Sequence, residues 1–182
     1  MRRGLVVGRF QPFHKGHLSL VNSIMKECQE LIIVVGSAQF NYLYTDPFTA
    51  SERILMIHGA LLESKISAER VYIIPVINDE NNATWYARLT TLIPEFHVLY
   101  SGNEFVKCLV GTRIPVQIPN FTKKRTYNGT NIRNLIAREK PWNHLVPSTV
   151  ALLMENVDGI RRIRTLSKVE NPVRPKRYPN VR

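Results

Sequence analysis

The stretch Gly8-Arg9-Phe10-Gln11-Pro12-Phe13-His14-Lys15-Gly16-His17 lies between an apolar strand signal, Leu5-Val6-Val7, and a helical one carried by Leu18, Val21, Ile24, Met25 and Cys28. A strand that turns at once into a helix brings unpaired backbone N–H groups and the positive end of a helix dipole to one place. Such a place binds phosphate. Arg9, His14, Lys15 and His17 share the turn, with no carboxylate among them. The turn is not the dinucleotide-binding G-x-G-x-x-G, and no Gly-Lys-Ser/Thr closes a P-loop.

Outward from this turn, strand and helix signals alternate. Leu31 to Val35 is an unbroken apolar run ending at Gly36-Ser37, as in a parallel strand buried on both faces. Thr49 and Glu52 have the spacing of a capping box, ahead of a helix whose stripe is Ile54, Leu55, Ile57, His58 and Leu61. Val71 to Val76 is a third strand, with a break at Pro75. The polar loop Asp79 to Asn82 leads into a helix over Thr84 to Ile93. His97 to Tyr100 is a fourth strand, and Asn103 caps a helix carrying Phe105, Val106, Leu109 and Val110. Ile114 to Ile118 is a weaker fifth strand. Thr130 opens another helix, and helical patterns run from Pro147 to Leu166.

This alternation predicts an α/β, Rossmann-like fold: a parallel sheet with helices on both faces and right-handed crossovers. Ligands of such sheets bind beyond the carboxyl ends of the strands. The loops at residues 8–17, 36–45, 77–82 and 101–103 all lie there. With no repeat or linker, residues 1–168 are expected to form one domain, its last helices starting near 147. Residues 169–182 are a basic, Pro-containing tail without an apolar period.

A chain of 182 residues with 44% hydrophobic content buries about 70% of its unfolded surface without staples. No apolar run reaches the roughly 18 residues of a membrane span, and the apolar stretch after Met1 is too short for a signal peptide. A cytoplasmic protein is expected. Cys28 and Cys108, on separate predicted helices, are expected as buried thiols. The N-x-S/T matches at Asn82, Asn120 and Asn128 are then chance. The net charge of +11 is unevenly spread: Arg161 to Arg182 holds eight Lys/Arg against one acid, and the other 160 residues carry only +4. That suits an anionic small substrate in a positive cleft better than a nucleic-acid-binding face.

His14-Lys15-Gly16-His17 resembles the H-x-G-H signature of the nucleotidyltransferase superfamily. The longer G-R-F-Q-P-F-H-x-G-H string is similar to the archaeal-type nicotinamide mononucleotide (NMN) adenylyltransferases. Asp46-Pro47-Phe48-Thr49-Ala50-Ser51-Glu52-Arg53 resembles that family's N/D-P-F-T-x-x-E-R, and Tyr127-Asn128-Gly129-Thr130-Asn131-Ile132-Arg133 its S-G/S-T-x-I/V-R. The resemblance runs from Gly4 to the helix after Arg133. It implies transfer of the adenylyl group of ATP to NMN, giving NAD+ and pyrophosphate, by in-line attack of the NMN phosphate on the α-phosphorus. Since the nucleophile is already an anion, the site must align the reactants and neutralise charge. His14, His17, Arg9 and Arg133 are the expected catalytic set. Gly8, Phe10, Gly102 and Thr130 join them in ATP binding, Thr130 and Arg133 at the β- and γ-phosphates. The resemblance implies Trp85 stacked on the nicotinamide ring and Asn82 on its carboxamide. It also implies a homo-oligomer, with hexamers as the family precedent.

Each assignment has a plainer counterpart. His14 and His17 could be solvated, or half of a zinc site, but no third and fourth ligand stand nearby. No metal ligands are therefore assigned. Mg2+ is expected to arrive on the triphosphate with most of its waters. Arg9 and Arg133 could be solvated arginines, and Trp85 a core residue at a helix start. Asp46 and Glu52 are expected to be structural. Asn128 departs from the family's serine and Thr45 from the charge some relatives carry. Adenylyl or cytidylyl transfer to another phosphate, or a non-catalytic nucleotide- or nucleic-acid-binding protein, remain the alternatives.

Overall fold

The computed structural model describes residues 1–78, 81–119 and 125–170. Five parallel strands form one sheet: β1 (Arg3–Gly8), β2 (Glu30–Val35), β3 (Val71–Pro75), β4 (Val98–Tyr100) and β5 (Val116–Gln117), in the order β3-β2-β1-β4-β5. Strand order reverses between β1, whose Leu5 pairs with Ile32 of β2, and β4, whose Leu99 pairs with Leu5 from the other side. The crevice beyond the carboxyl ends at that reversal is where such sheets bind ligands. Pro75 ends β3 at a sheet edge, where a missing N–H is tolerated.

Among the described residues, seven α-helices complete the fold: α1 (Lys15–Glu27), α2 (Ala50–Glu63), α3 (Trp85–Leu92), α4 (Glu104–Val110), α5 (Gly129–Ala137), α6 (Ser148–Asn156) and α7 (Gly159–Val169). The apolar run of β2 serves both faces of the sheet. Leu31, Ile33 and Val35 point into a core with Val21 and Ile24 of α1, Met56 and Leu61 of α2, Ile132 of α5, Met154 of α6 and Ile163 of α7. Ile32 and Val34 point into a second core with Leu89 of α3 and Val110 of α4. Each fully buried aliphatic side chain contributes about 1.5–3 kcal/mol, so this period-2 division holds helices on both faces.

The expected helical run from Pro147 to Leu166 is two helices. Asp158 adopts a left-handed backbone (φ 57°) between α6 and α7. A Cβ on Gly159 would lie 2.5 Å from the Phe48 ring and 2.9 Å from the Met154 carbonyl, so only glycine lets α7 start that close to the core. Cys28 is buried as expected, whereas Cys108 is exposed on α4, a correction to the expectation of two buried thiols. No helix among the described residues is long and apolar enough to cross a membrane.

Candidate active site

Beyond the end of β1, Arg9, Phe10, Gln11, His14, Gly16 and His17 face Tyr127, Asn128, Gly129, Thr130 and Arg133 across a cavity of about 330 Å³. Two glycines let the walls approach. A Cβ on Gly16 would stand 2.8 Å from Tyr127 Cβ, and one on Gly129 2.6 Å from the Gln11 carbonyl oxygen. The N-termini of α1 and α5 therefore meet at one cavity, and both present positive dipole ends to it.

His14 is the N-cap of α1. Its Nδ1 accepts the His17 N–H at 3.2 Å, and the Nδ1 of His17 accepts the His14 N–H at 3.3 Å. Both rings are thereby held in the tautomer that carries its proton on Nε2. They stack with centroids 3.5 Å apart. Burial lowers the His14 pKa to about 4 and holds His17 well below its usual value, with His14 adding to the shift. The pair acts as two neutral Nε2–H donors at neutral pH. Phe10, at φ 52°, folds its ring back under His17 (centroids 4.8 Å, edge-on). Gly8 leaves room for this, because a Cβ there would lie 2.8 Å from that ring. Both residues of the expected ATP set thus have a clear packing role.

Arg133 is buried at 3% exposure. Its Nη1 donates to the Gln11 carbonyl at 2.6 Å and its Nη2 to Thr130 Oγ1 at 3.2 Å. Nε has no partner among the described residues. Burial, aided by the positive charge of Arg9, lowers its pKa to about 10, so it stays charged near neutrality. Arg9 is half-exposed, with Nη1 3.3 Å from buried Asp46. Asn128 caps α5: its Oδ1 accepts the Asn131 N–H at 2.7 Å, and its Nδ2 donates to the Arg125 carbonyl at 2.8 Å.

Around the end of β1, the Asp46–Arg53 block is structural. Gln11 pairs with the Phe48 main chain at both N–H and C=O (2.9 and 2.8 Å). Thr49 and Glu52 form the expected capping box, and Glu52 also takes a bidentate pair of bonds from Arg162 of α7 (2.7 and 2.9 Å).

A family model described as cytidylyltransferase-like matches residues 5–135, the span from β1 to α5 that builds both walls of the cavity. The nicotinamide-nucleotide adenylyltransferase of Pyrobaculum arsenaticum is 46% identical over 174 residues, 93% of this chain and 97% of that protein. Proteins of the same description from Methanospirillum hungatei (43% over 169 residues, 92% and 95% covered) and Methanococcus maripaludis (41% over 167 residues, 91% and 96% covered) are also similar. The chain belongs to the nicotinamide-nucleotide adenylyltransferase family. A solved structure, a bifunctional NMN adenylyltransferase/ADP ribose pyrophosphatase from Francisella tularensis complexed with AMP and a manganese ion, shares the fold. Its TM-score is 0.78 at 20% identity, covering 91% of this chain and 51% of that one.

Within this adenylyltransferase fold, the structure gathers Arg9, Phe10, His14, His17, Thr130 and Arg133 around the one cavity. Gly102 is exposed in the loop after β4, on the neighbouring side of the strand reversal. Asn82 is exposed, and Trp85 is half-buried at the start of α3, packed against the second core. None of these three lines the cavity. Asp79 and Glu80 of the polar loop lie outside the described residues. Sequence reasoning missed Gln11 and Arg53. Their signal was their place as the Gln and the closing Arg of the two motifs that carry the resemblance.

Proposed function

We propose that this chain transfers the adenylyl group of ATP to NMN, releasing pyrophosphate and forming NAD+. The observation that carries the reading is a cavity whose lining groups are donors and cations: two Nε2–H imidazoles, Arg9, Arg133 and two helix N-termini. An NMN phosphate oxygen attacks the α-phosphorus as the bond to the bridging oxygen of the β-phosphate breaks. Negative charge then moves onto the pyrophosphate. Neutral His14 and His17 donate to phosphoryl oxygens without needing protonation, and fixed donors in a dry site need little reorganisation. The unpaired Nε–H of Arg133 costs about 1–3 kcal/mol while it lacks a partner.

A divalent cation fits this cavity as a passenger on the nucleotide. No group of three or more His, Cys, Asp or Glu among the described residues could hold one, and Asp46 is paired with Arg9. The triphosphate supplies its ligands, and it neutralises charge there. Trp85 and Asn82, in the segment that follows β3, remain the proposed nicotinamide contacts.

Pyrophosphate release measured with ATP and CTP against NMN, nicotinate mononucleotide, FMN and phosphopantetheine tests the reading. Release with ATP and NMN is expected. Preference for CTP, or for FMN or phosphopantetheine, would replace it.

A further inference from the structure

We infer that Arg53 is a positioning residue for this reaction, holding Arg9 and His17 in place through the left-handed turn at the end of β1, which its guanidinium ties to a second such turn at the end of β2. The inference rests on the proposed function for its kinetic consequence, but not for its geometry.

Arg53 is a charged side chain with no exposure, on the face of α2 that also buries Met56 and Ile57. A buried guanidinium is weak as a source of stability, because its desolvation offsets what its bonds return. Its donors all go to main-chain carbonyls. Nη1 reaches Arg9 O at 2.9 Å and Gly36 O at 2.8 Å, Nη2 reaches Ser37 O at 3.2 Å, and Nε reaches Thr49 O at 3.1 Å. One planar fork thus joins the ends of two adjacent parallel strands to the start of α2.

The carbonyls it selects flank strained backbone. Phe10 and Ser37 both have φ 52°, a left-handed conformation that is strained for a non-glycine residue and persists only where its surroundings impose it. Arg9 O precedes Phe10, and Gly36 O precedes Ser37. The Arg9 carbonyl is held by Arg53, while the half-exposed Arg9 guanidinium lines the cavity and lies 3.3 Å from buried Asp46. With Phe10 left-handed, its ring turns back against the edge of His17. Releasing the fork frees both the phosphate-facing cation and the support of a donor imidazole. Arg53 itself does not line the cavity.

The experiment compares NAD+ formation, thermal midpoint and the ring 15N shifts of His17 in the wild type, Arg53→Lys, Arg53→Lys with Ser37→Gly, and Phe10→Leu. Lysine keeps the charge and loses the fork. A displacement of ~1 Å at reacting groups costs about 10²-fold, so Arg53→Lys is expected to lose roughly tenfold or more in kcat. The KM for NMN should stay within about threefold, since uniform binding is untouched. Ser37→Gly removes one strained turn, so it should restore the thermal midpoint and leave kcat low. Recovery of both together, or a folded Arg53→Lys with near-normal kcat, would overturn the inference. Should Arg53→Lys not fold, Phe10→Leu decides: a comparable kcat loss with altered His17 shifts supports the relay, and no change in either refutes it. A wild type that makes no NAD+ removes the proposed function alone. The His17 shifts of the free variants then decide the positioning role, and unaltered shifts refute it.

Discussion

His14 and His17 cap one another: each Nδ1 accepts the other's main-chain N–H, at 3.2 and 3.3 Å, with the rings stacked between. Satisfying two of the unpaired N–H groups at the start of α1 therefore also sets the proton on both Nε2 atoms. Helix capping and donor chemistry are one arrangement here. Long-range 1H–15N correlation should show both rings neutral, with Nε2 protonated, at pH 7. A protonated Nδ1 on either ring would refute the cap.

The same burial sets a pH dependence of stability. His14 has a pKa of about 4 in the folded chain and about 6.5 when unfolded. Between those values the unfolded chain binds more protons, so stability falls as pH drops from about 6.5 toward 4. It is fully present above that window. Thermal midpoints across it should fall less steeply for His14→Asn, which retains a capping oxygen but no titrating ring. An equal slope in wild type and variant would assign the acid sensitivity elsewhere.

Capping and catalysis separate in His17→Asn. Asparagine places Oδ1 where Nδ1 stood and can still accept the His14 N–H, but nothing replaces Nε2–H. Loss of one oxyanion-type donor costs about 10²–10³ in kcat. The thermal midpoint of His17→Asn should stay nearer wild type than that of His17→Ala, while both lose kcat to that extent. A His17→Asn enzyme with near-normal kcat would remove His17 from the charge-stabilising set.

The sequence showed the sheet plainly because β1, β2 and β4 are apolar runs of strand length, and a parallel strand buried on both faces needs such a run. The starts of α2 and α4 were equally plain, since Thr49, Glu52 and Asn103 cap through local bonds. Asn128 follows the same local rule, one residue before α5, but it was noted only as a departure from the family's serine, and its role as a cap was not read. Arg53 stood out as the closing residue of its motif, but its role was illegible for a different reason. A charged residue on an amphipathic helix reads as solvated, and its carbonyl partners come from strand ends 16 to 44 residues away. Helices in the plural were expected here, but the position of the break at Asp158 was not legible because apolar spacing continues across it, and the close approach of Gly159 to Phe48 is a tertiary fact.

Gly129→Ala tests the meeting of the two walls. The added Cβ would lie 2.6 Å from the Gln11 carbonyl oxygen and 3.0 Å from Arg133 Nη1. Both neighbours are fixed, one as backbone and the other by its 2.6 Å bond to that same oxygen. Overpacking of this kind costs about 1–3 kcal/mol, and here it also pushes α5 away from α1. A folded variant should show a lower thermal midpoint together with a lower kcat/KM. Unchanged kinetics would mean that the α5 wall does not contact the reacting phosphates.

Where the chain can be shortened follows from Glu170, whose Oε1 accepts the Tyr44 N–H at 3.0 Å. Tyr44 in turn donates its hydroxyl to Asn134 Oδ1 at 2.7 Å, and its ring lies 5.9 Å from the Arg133 guanidinium. Truncation after Glu170 should leave turnover near wild type. Truncation after Lys168 removes this anchor and should lower the thermal midpoint further. Equal midpoints for the two cuts would deny Glu170 that role, and loss of turnover on removing residues 171–182 alone would assign the basic tail to the site.

Trp85 separates nicotinamide recognition from phosphate handling. It starts α3, half-buried against the second core and outside the cavity formed by α1 and α5. A ring so placed is remote from the reacting phosphorus, so any contact with the base is nearly equal in ground and transition states. Losing an aromatic that stacks on a bound base costs about 1–3 kcal/mol, roughly 5- to 150-fold in affinity. Uniform binding of that kind appears in KM and spares kcat. Trp85→Ala should therefore raise the KM for NMN by that factor, leave the KM for ATP nearly unchanged, and be largely rescued by Trp85→Phe. The core contacts of the same ring predict a modest fall in thermal midpoint for Trp85→Ala as well. A variant that loses midpoint but keeps the KM for NMN would make Trp85 a core residue only. One that loses ATP affinity to the same extent would place the adenine, and not the nicotinamide, at Trp85.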